Sequence, residues 1–187
     1  LADTLKIEVI NEPLLSFNTP LMCQGQTDFD LLAQVYVENK PATDGRFYWD
    51  SYNWNKKAPE LEKHPIKNNQ YAPADIATGN WRVRYEGPQK GCQDTGYFTL
   101  RVEESPKAIM QITSPTTLNI HAAQLIAINY SYVAGNDKIS WLWDAGDPSS
   151  TSDTSSKNTF IYTYPKTPGE YTLSLIASTN QGCNDTV

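Results

Sequence analysis

Three cysteines are the residues of this sequence with the most definite chemistry. Cys23, Cys92 and Cys183 form no Cys-x-x-Cys pair, and only two histidines accompany them in a chain of 187 residues. A structural zinc ion needs four cysteine or histidine ligands at short spacings, so this pattern disfavours a zinc site. If the chain is exported, we expect two of the cysteines to form a structural disulfide.

The sequence carries no motif that indicates catalysis. We find no nucleophile elbow, no phosphate-binding glycine loop and no metal-ligand spacing. His64 precedes a proline in an irregular stretch, and His121 lies near the entry to a predicted strand. Although either histidine could meet a Ser and an Asp in the folded chain, we predict that the protein is not an enzyme and needs no cofactor.

Two carboxylates, Asp144 and Asp147 in the stretch Trp-Asp-Ala-Gly-Asp, have two interpretations. Together with Asn136 or Asp137 they could bind calcium, because this cation takes several oxygen ligands. The simpler interpretation is a turn in which each Asp accepts a hydrogen bond from the backbone amide two residues further on. We favour the turn and predict no metal.

Aromatic side chains alternate along the stretch from Gly45 to Asn55. Tyr48, Tyr52 and Trp54 point one way along a strand, opposite to Phe47 and Trp49. Exposed rings in a row can stack on sugars, so these three residues could form a glycan-binding face. The alternative, which we favour, is that the segment from Lys56 to Thr78 folds over the rings as a satellite core.

The charge of the sequence disfavours nucleic-acid binding, and its hydropathy disfavours a membrane-spanning segment. The net charge is −6, and no cluster of Lys or Arg offers the basic footprint that nucleic acids require. No apolar run approaches the roughly 20 residues that span a bilayer. We therefore predict no nucleic-acid binding and no membrane span in this stretch of chain.

An internal repeat organises the chain. The dipeptide Asp-Thr begins at Asp3, Asp94 and Asp185, which are separated by two intervals of 91 residues, and both later copies follow a Gly-Cys pair. A period of this length is close to one immunoglobulin-like sandwich of about 100 residues. Each repeat should therefore be a whole domain, and the stretch should begin in the tail of one unit and stop inside the last strand of another.

The domain boundaries follow from the repeat and from the prolines. Residues 1–11 should be the final strand of a preceding unit and a linker, with Leu5, Ile7 and Val9 alternating on one face. Residues 12–104 should form one β-sandwich and residues 105–187 a second, truncated in its last strand. The joint around Pro106 is too short for free tumbling.

Period-two patterns predict the strands of both domains. In the first domain, the core candidates are Trp49, a strand carrying Phe29, Leu31, Ala33, Val35 and Val37, a strand carrying Trp81, Val83 and Tyr85, and the strand Tyr97–Val102. In the second, the predicted strands are Ala108–Ile112, Gln124–Val133, Lys138–Asp144, Thr159–Tyr164, Tyr171–Ala177 and one from Asn184, with Trp143 buried. Almost no helix is expected, so the fold class is all-β: two tandem immunoglobulin-like β-sandwiches.

The second domain resembles PKD domains. Trp143-Asp144 with Gly146-Asp147, then Tyr164, then Pro168-Gly169-Glu170-Tyr171 match the pattern of that family, while Ala145 and Pro148 replace its usual Phe and Gly. The first domain keeps Trp49-Asp50 and Gly79-x-Trp81 and is similar to the wider PKD-like group. Its Cys-Gln-Gly-Gln and Gly-Cys-Gln-Asp stretches resemble domains of large Bacteroidota surface and gliding-associated proteins. The resemblance implies export to the bacterial cell surface.

The expected topology indicates how the cysteines pair. Cys23 should lie in the turn between the first two strands of its domain and Cys92 in the turn between the last two, at opposite ends. A strand of about eight residues separates such turns by over ~20 Å, whereas bridged α-carbons lie within about 7 Å. We therefore favour a Cys23–Cys183 bridge between the domains, with Cys23–Cys92 as the alternative and no bridge as the last option.

These expectations combine into a function. The favoured function is a non-catalytic structural or adhesive module of an exported bacterial surface protein, which acts as a stiff spacer or protein-interaction unit. The alternative is a glycan-binding accessory module of a surface enzyme or uptake system. The expected partners are neighbouring domains of the same chain, with other surface proteins or glycans as further candidates, and a component of a secretion machine would look the same in sequence.

Overall fold

The computed structural model of the chain describes residues 12–50, 65–88, 95–135 and 138–187. The chain divides into two compact units, the first ending at Glu103 and the second beginning at Glu104. We call them unit 1 and unit 2. The strand predicted at Leu5–Val9 lies outside the described residues.

The described part of unit 1 consists of short strands and two long ones. The longest are β8 (Gly79–Glu86) and β9 (Thr95–Glu103), which pair antiparallel over their length. The others are β1 (Leu15–Phe17), β2 (Leu21–Cys23), β3 (Phe29–Asp30), β4 (Val35–Val37), β5 (Lys40–Pro41), β6 (Arg46–Trp49) and β7 (Tyr71–Ala72). The helical part of these residues is a single 3-10 turn, Leu32–Gln34.

Three sheets enclose the core in the described part of unit 1. The order of the larger sheet is β2-β9-β8-β6, with β2 parallel to β9, and the smaller sheets are β1-β4-β5 and β3-β7. Because β8 alternates, Trp81, Val83 and Tyr85 all point inward and are fully buried, as the sequence pattern predicted. The ring of Phe17 in β1 stacks on the ring of Phe98 in β9, with 5.5 Å between their centres. This contact joins the β1-β4-β5 sheet to the larger sheet.

The prediction of one strand through Phe29 to Val37 was wrong. The segment breaks into β3, the 3-10 turn and β4, and Ala33 is exposed instead of lying in the core. The Asp30 carboxylate causes the break, because its Oδ1 accepts hydrogen bonds from the amides of Leu32 at 2.8 Å and Ala33 at 3.4 Å. A short acidic side chain that binds the following amides favours a turn over a strand.

Trp49 is not the central core residue that its strand position suggested. Phe47 and Trp49 point inward from β6 as predicted, but Trp49 is only partly buried and packs at the margin of the core. Trp81 occupies the centre instead, with its ring 5.5 Å from that of Trp49. A large ring from the longer strand β8 therefore fills the space.

Unit 2 is an immunoglobulin-like β-sandwich. Its described strands are β10 (Met110–Ile112), β11 (Gln124–Asn129), β12 (Ile139–Asp144), β13 (Thr154–Ser155), β14 (Thr159–Thr163), β15 (Ser174–Thr179) and β16 (Asn184–Thr186). One sheet has the order β10-β11-β14 and the other β13-β12-β15-β16. The sheet of the first, second and fifth strands of unit 2 (β10, β11 and β14) faces the sheet of its other four strands, as in the immunoglobulin fold. The fourth strand, β13, lies on the same sheet as the third, β12.

The sequence predicted most strands of unit 2 but misplaced several boundaries and missed β13. The strand expected to run from Gln124 to Val133 ends at Asn129. The strand expected to begin at Tyr171 begins at Ser174. The core matches the prediction: Trp143 is fully buried, and its ring stacks on Phe160 of the opposite sheet at 5.4 Å. In the same core, the Tyr164 hydroxyl donates a buried hydrogen bond to the Ala145 carbonyl at 3.0 Å.

In the described part of the chain, no helix has both the length and the apolar character to cross a membrane.

Candidate functional site

The outer face of the larger sheet in unit 1 concentrates arginine and tyrosine. Because β8 buries every second residue, Arg82 and Arg84 point outward between Trp81, Val83 and Tyr85. The neighbouring strands contribute outward residues in the same way. We call the set the Arg–Tyr face; its members are Arg46, Tyr48, Arg82, Arg84, Tyr97 and Arg101.

Cation–π contacts order the Arg–Tyr face. The Arg84 guanidinium lies 4.7 Å from the centre of the Tyr48 ring, and the Arg82 guanidinium lies 4.4 Å from the centre of the Tyr97 ring. The sheet register explains the first contact, since Tyr48 of β6 stands directly opposite Arg84 of β8. At such distances the ring quadrupole attracts the cation, which holds both side chains upright.

Carboxylates at the edge of the face orient the same arginines. Arg82 Nε lies 3.1 Å from Asp50 Oδ2, Arg84 Nη2 lies 3.1 Å from Glu86 Oε1, and Arg101 pairs with Glu103. Exposed ion pairs of this kind contribute little to stability. The side chains of Arg82, Arg84 and Arg101 remain 39–49% exposed, so the face presents their guanidinium groups to solvent.

The predicted glycan face overlaps the Arg–Tyr face at one residue. Tyr48 lies on it, half-buried, whereas Tyr52 and Trp54 lie outside the described residues. The sequence analysis missed the four arginines and Tyr97, which is 45% exposed. The alternation in Trp-Arg-Val-Arg-Tyr could have revealed them, because a strand that buries its aromatic residues must expose the arginines between them.

Asp144 and Asp147 are turn residues in the structure. Asp144 Oδ1 accepts a hydrogen bond from the Gly146 amide at 2.7 Å, and Asp147 Oδ1 accepts one from the Ser149 amide at 2.9 Å. Both donors are two residues further on, as the turn interpretation predicts. Asn136 and Asp137 lie outside the described residues. Within the residues that the structure describes, no group of three or more His, Cys, Asp or Glu side chains is placed to hold a metal ion.

The carboxylate of Asp147 also accepts hydrogen bonds from two side chains. Its Oδ2 accepts a hydrogen bond from the Tyr162 hydroxyl at 2.7 Å, and its Oδ1 accepts a second bond from the Ser149 hydroxyl at 2.7 Å. The hydrogen bond from Tyr162 and those from Ser149 lower the pKa of Asp147, against the opposing effect of burial. Burial raises the pKa of Tyr162, so this hydroxyl stays protonated as the donor. The pair is a structural link between the turn and β14.

Cys23 and Cys183 are both disulfide-bonded in the structure. Cys23 ends β2, where it stands beside Glu103 in the parallel pairing with β9, and Cys183 is fully buried in the turn before β16. Cys92 lies outside the described residues, so the connectivity stays a prediction. Disulfides persist in oxidising compartments, and their presence here fits a location outside the cytoplasm.

The two histidines do not add to a site in the described chain. His121 is exposed, and its backbone amide donates a hydrogen bond to the Asn119 side chain at 2.9 Å. His64 lies outside the described residues. The prediction that the protein is not an enzyme therefore stays a prediction.

No protein-family model and no curated protein matches this sequence. Among solved structures, the chain is similar to a chimeric titin Z1Z2 functionalised with a KLER exogenous peptide from decorin. The two chains are 15% identical, the similarity covers 95% of each, and the TM-score is 0.31.

Proposed function

We propose that this chain is a non-catalytic structural and adhesive module of an exported bacterial surface protein, and that it binds a protein partner through the Arg–Tyr face. The observation that carries the proposal is the pair of guanidinium groups stacked on Tyr48 and Tyr97 on the outer face of the β2-β9-β8-β6 sheet. Arginine and tyrosine are the residues that most often dominate the binding energy of protein interfaces.

The packing of the rings favours a protein over a sugar as the partner. A sugar that stacks on tyrosine needs the face of the ring, and a guanidinium covers one face of Tyr48 and one face of Tyr97. Arginines held in this way offer several directed donors to carboxylates or carbonyl groups of a partner. The exposure of Tyr97 keeps glycan binding, as the accessory module of a surface enzyme or uptake system, as the second candidate.

The surface location is part of the same proposal. The disulfide-bonded cysteines support an oxidising compartment, and the resemblance of the first domain to domains of large Bacteroidota surface and gliding-associated proteins supports the surface of a bacterial cell. Two sandwiches in series would serve as a stiff spacer that carries the Arg–Tyr face.

Site-specific crosslinking in cells tests the binding face. A photo-reactive amino acid at Thr99, which is exposed on β9 between Tyr97 and Arg101, should yield a discrete protein adduct of the full-length surface protein. The same probe at Ile161, on the exposed side of β14, is the matched control and should yield none. Adducts at both positions or at neither would refute the proposed face.

A glycan array separates the second candidate from the first. If the partner is a protein, Arg84→Ala should abolish the crosslinked adduct at Thr99, and the glycan array should show no binding. Array binding that Tyr97→Ala abolishes while Arg84→Ala leaves it intact would replace the protein partner by a glycan.

Peptide mapping tests the predicted connectivity. Under non-reducing conditions, alkylated protein from its native host should yield a Cys23–Cys183 peptide pair. A Cys23–Cys92 pair, or three free thiols, would contradict the prediction.

A further inference from the structure

The arginines of the Arg–Tyr face lie in one line across the sheet. Arg46 of β6 stands opposite Glu86 of β8. Arg101 of β9 stands opposite Asn80, near the start of β8. Two more arginines point outward from β8 between these positions, so each of the four outward positions of β8 has one arginine at its level. We call this line the arginine stripe; in order along the sheet its members are Arg46, Arg84, Arg82 and Arg101.

Sheet geometry fixes the spacing of the arginine stripe. Outward residues of one strand are two residues apart, which is about 6.7 Å, and neighbouring strands lie about 4.8 Å apart. The stripe advances by three such steps along β8 and crosses from β6 to β9, so its backbone positions span roughly 22 Å. An extended peptide has the same two-residue repeat and covers this length in about seven residues. A peptide laid along the stripe therefore brings every second side chain to a guanidinium.

The carboxylates of unit 1 neutralise the arginine stripe only in part. The four arginines meet three paired carboxylates, which leaves one net positive charge on the face of a chain whose net charge is −6. Arg46 is exposed and forms no ion pair within the part of the chain that the structure describes. The ion pairs of Arg82 and Arg84 each use one nitrogen of a group that carries several N–H donors. The stripe can therefore bind further anionic groups.

The two tyrosines of the face enclose the middle of the stripe. Tyr48 of β6 and Tyr97 of β9 both stand opposite Arg84, one on each side of it. A carboxylate that reaches Arg84 lies between two rings, which displace water and strengthen the attraction between the charges. The planar guanidinium also matches a carboxylate in shape and can bind both of its oxygens. Charge and geometry therefore both favour a partner with carboxylate side chains.

We infer that the arginine stripe binds an extended acidic segment of the partner protein, with Asp or Glu at every second position over about seven residues. The carboxylates point toward the sheet, with an outer one on Arg46 and an inner one on Arg84, and the residues between them point away from it. This inference rests on the proposed function, because it specifies the partner of the Arg–Tyr face.

Two synthetic peptides of equal composition test the spacing. In Glu-Ser-Glu-Ser-Glu-Ser-Glu, all carboxylates lie on one side of an extended chain, whereas in Ser-Ser-Glu-Glu-Glu-Glu-Ser they are divided between both sides. The two peptides carry the same charge, so unspecific attraction affects them equally. In NMR titrations of the intact chain, the alternating peptide should bind about fivefold more tightly, because it forms about two more ion pairs. Equal binding of the two peptides, or no binding, would overturn the inference.

A variant at the end of the stripe locates the binding. Arg46→Gln removes one exposed charge and breaks no ion pair among the described residues, so the melting temperature should stay close to that of the parent. The alternating peptide should bind about threefold more weakly to this variant. Lys40→Gln, at an exposed position of β5 in another sheet, makes the same change of charge and should leave binding almost unaltered. Equal losses in the two variants would assign the binding to net charge and contradict a site on the stripe.

Tetragalacturonate, a sugar chain in which every unit carries a carboxylate, tests the other class of acidic ligand. It should bind more weakly than the alternating peptide, because a guanidinium already covers one face of each ring at Tyr48 and Tyr97. If tetragalacturonate binds more tightly, and Arg46→Gln weakens that binding, an acidic glycan replaces the peptide segment as the occupant.

The crosslink at Thr99 separates this inference from the proposed function. Thr99 stands opposite Arg82, beside the stripe. Digestion and mass spectrometry of the adduct should find Asp or Glu at alternate positions in the partner segment that is joined to Thr99. An adduct on a segment without this pattern would refute the acidic partner and leave the proposed function intact. Without any adduct at Thr99, the proposed function itself fails, whatever the peptides show.

Discussion

Among the described residues, each unit buries one tryptophan almost completely, but on a different strand. In unit 1 it is Trp81 of β8, and in unit 2 it is Trp143 of β12. Each indole donates its N–H to a backbone carbonyl outside the strands, from Trp81 to Ala77 at 2.8 Å and from Trp143 to Lys157 at 2.9 Å. The core of such a sandwich thus needs one large ring whose polar atom has a partner.

The comparison shows why a shared strand pattern does not identify the central residue. β6 and β12 both carry inward tryptophans, yet Trp49 stays at the core margin while Trp143 fills the centre. In unit 1 the long strand β8 already supplies Trp81, and in unit 2 the equivalent position holds Tyr171, which is only partly buried.

The largest expected effect is the loss of either central ring. Trp81→Ala and Trp143→Ala should each lower the free energy of unfolding of their own unit by about 3–5 kcal/mol, because a large cavity remains. Urea unfolding followed by tyrosine and tryptophan fluorescence measures this. Trp143→Phe, which retains a ring against Phe160, should cost clearly less; equal costs for Phe and Ala would argue against the stacked core.

A second test concerns Gly146, in the turn after β12 of unit 2. Its φ is +66°, and an added Cβ would lie 2.3 Å from the Thr172 carbonyl oxygen. Gly146→Ala should destabilise unit 2 by about 1–2 kcal/mol from the left-handed backbone alone, and by more through the contact. Gly182→Ala has a similar φ of +97° with open space around it and is the control in thermal unfolding. Equal losses would show that the approach to Thr172 is loose.

A third test sharpens the difference between Trp49 and Trp81. Trp49→Ala should cost about 1.5–2.5 kcal/mol, roughly half the cost of Trp81→Ala, because Trp49 is only partly buried. The two variants are compared under the same urea conditions. If Trp49→Ala is as costly as Trp81→Ala, the core of unit 1 extends further than the buried cluster indicates.

The smallest effect is a pH dependence confined to unit 2. Because hydrogen bonds lower the pKa of Asp147 in the folded state, this carboxylate adds stability above its ordinary pKa of about 3.9. That contribution disappears as the pH falls through the lower, folded pKa, since the unfolded chain binds the proton more readily. Asp147→Asn should flatten the acid side of the melting-temperature profile.

Tyr162→Phe provides the control for the cause of that shift. It removes the hydroxyl that donates to Asp147 while it keeps the ring stacked on Phe160. The carboxyl pKa measured by NMR should rise toward its ordinary value. An unchanged pKa in this variant would assign the shift to Ser149 instead.

The local pattern of apolar and polar residues predicted much of the fold. Alternation in Trp-Arg-Val-Arg-Tyr predicted β8, and the run around Trp141 and Trp143 predicted β12, because a strand with one buried face must alternate. The same rule failed at Phe29–Val37, where the Asp30 carboxylate binds the next amides and turns the chain. Periodicity reports which residues are apolar but not whether a side chain interrupts the strand.

The sequence by itself determined that the chain is all-β, that it repeats, and that Asp144 and Asp147 accept the amides two residues on. These features depend on neighbours along the chain. Only the tertiary structure decided that Trp81 displaces Trp49 from the core and that arginines stack on Tyr48 and Tyr97. Each of these depends on which strands lie side by side, and such pairing joins residues far apart in sequence whose contacts no local pattern records.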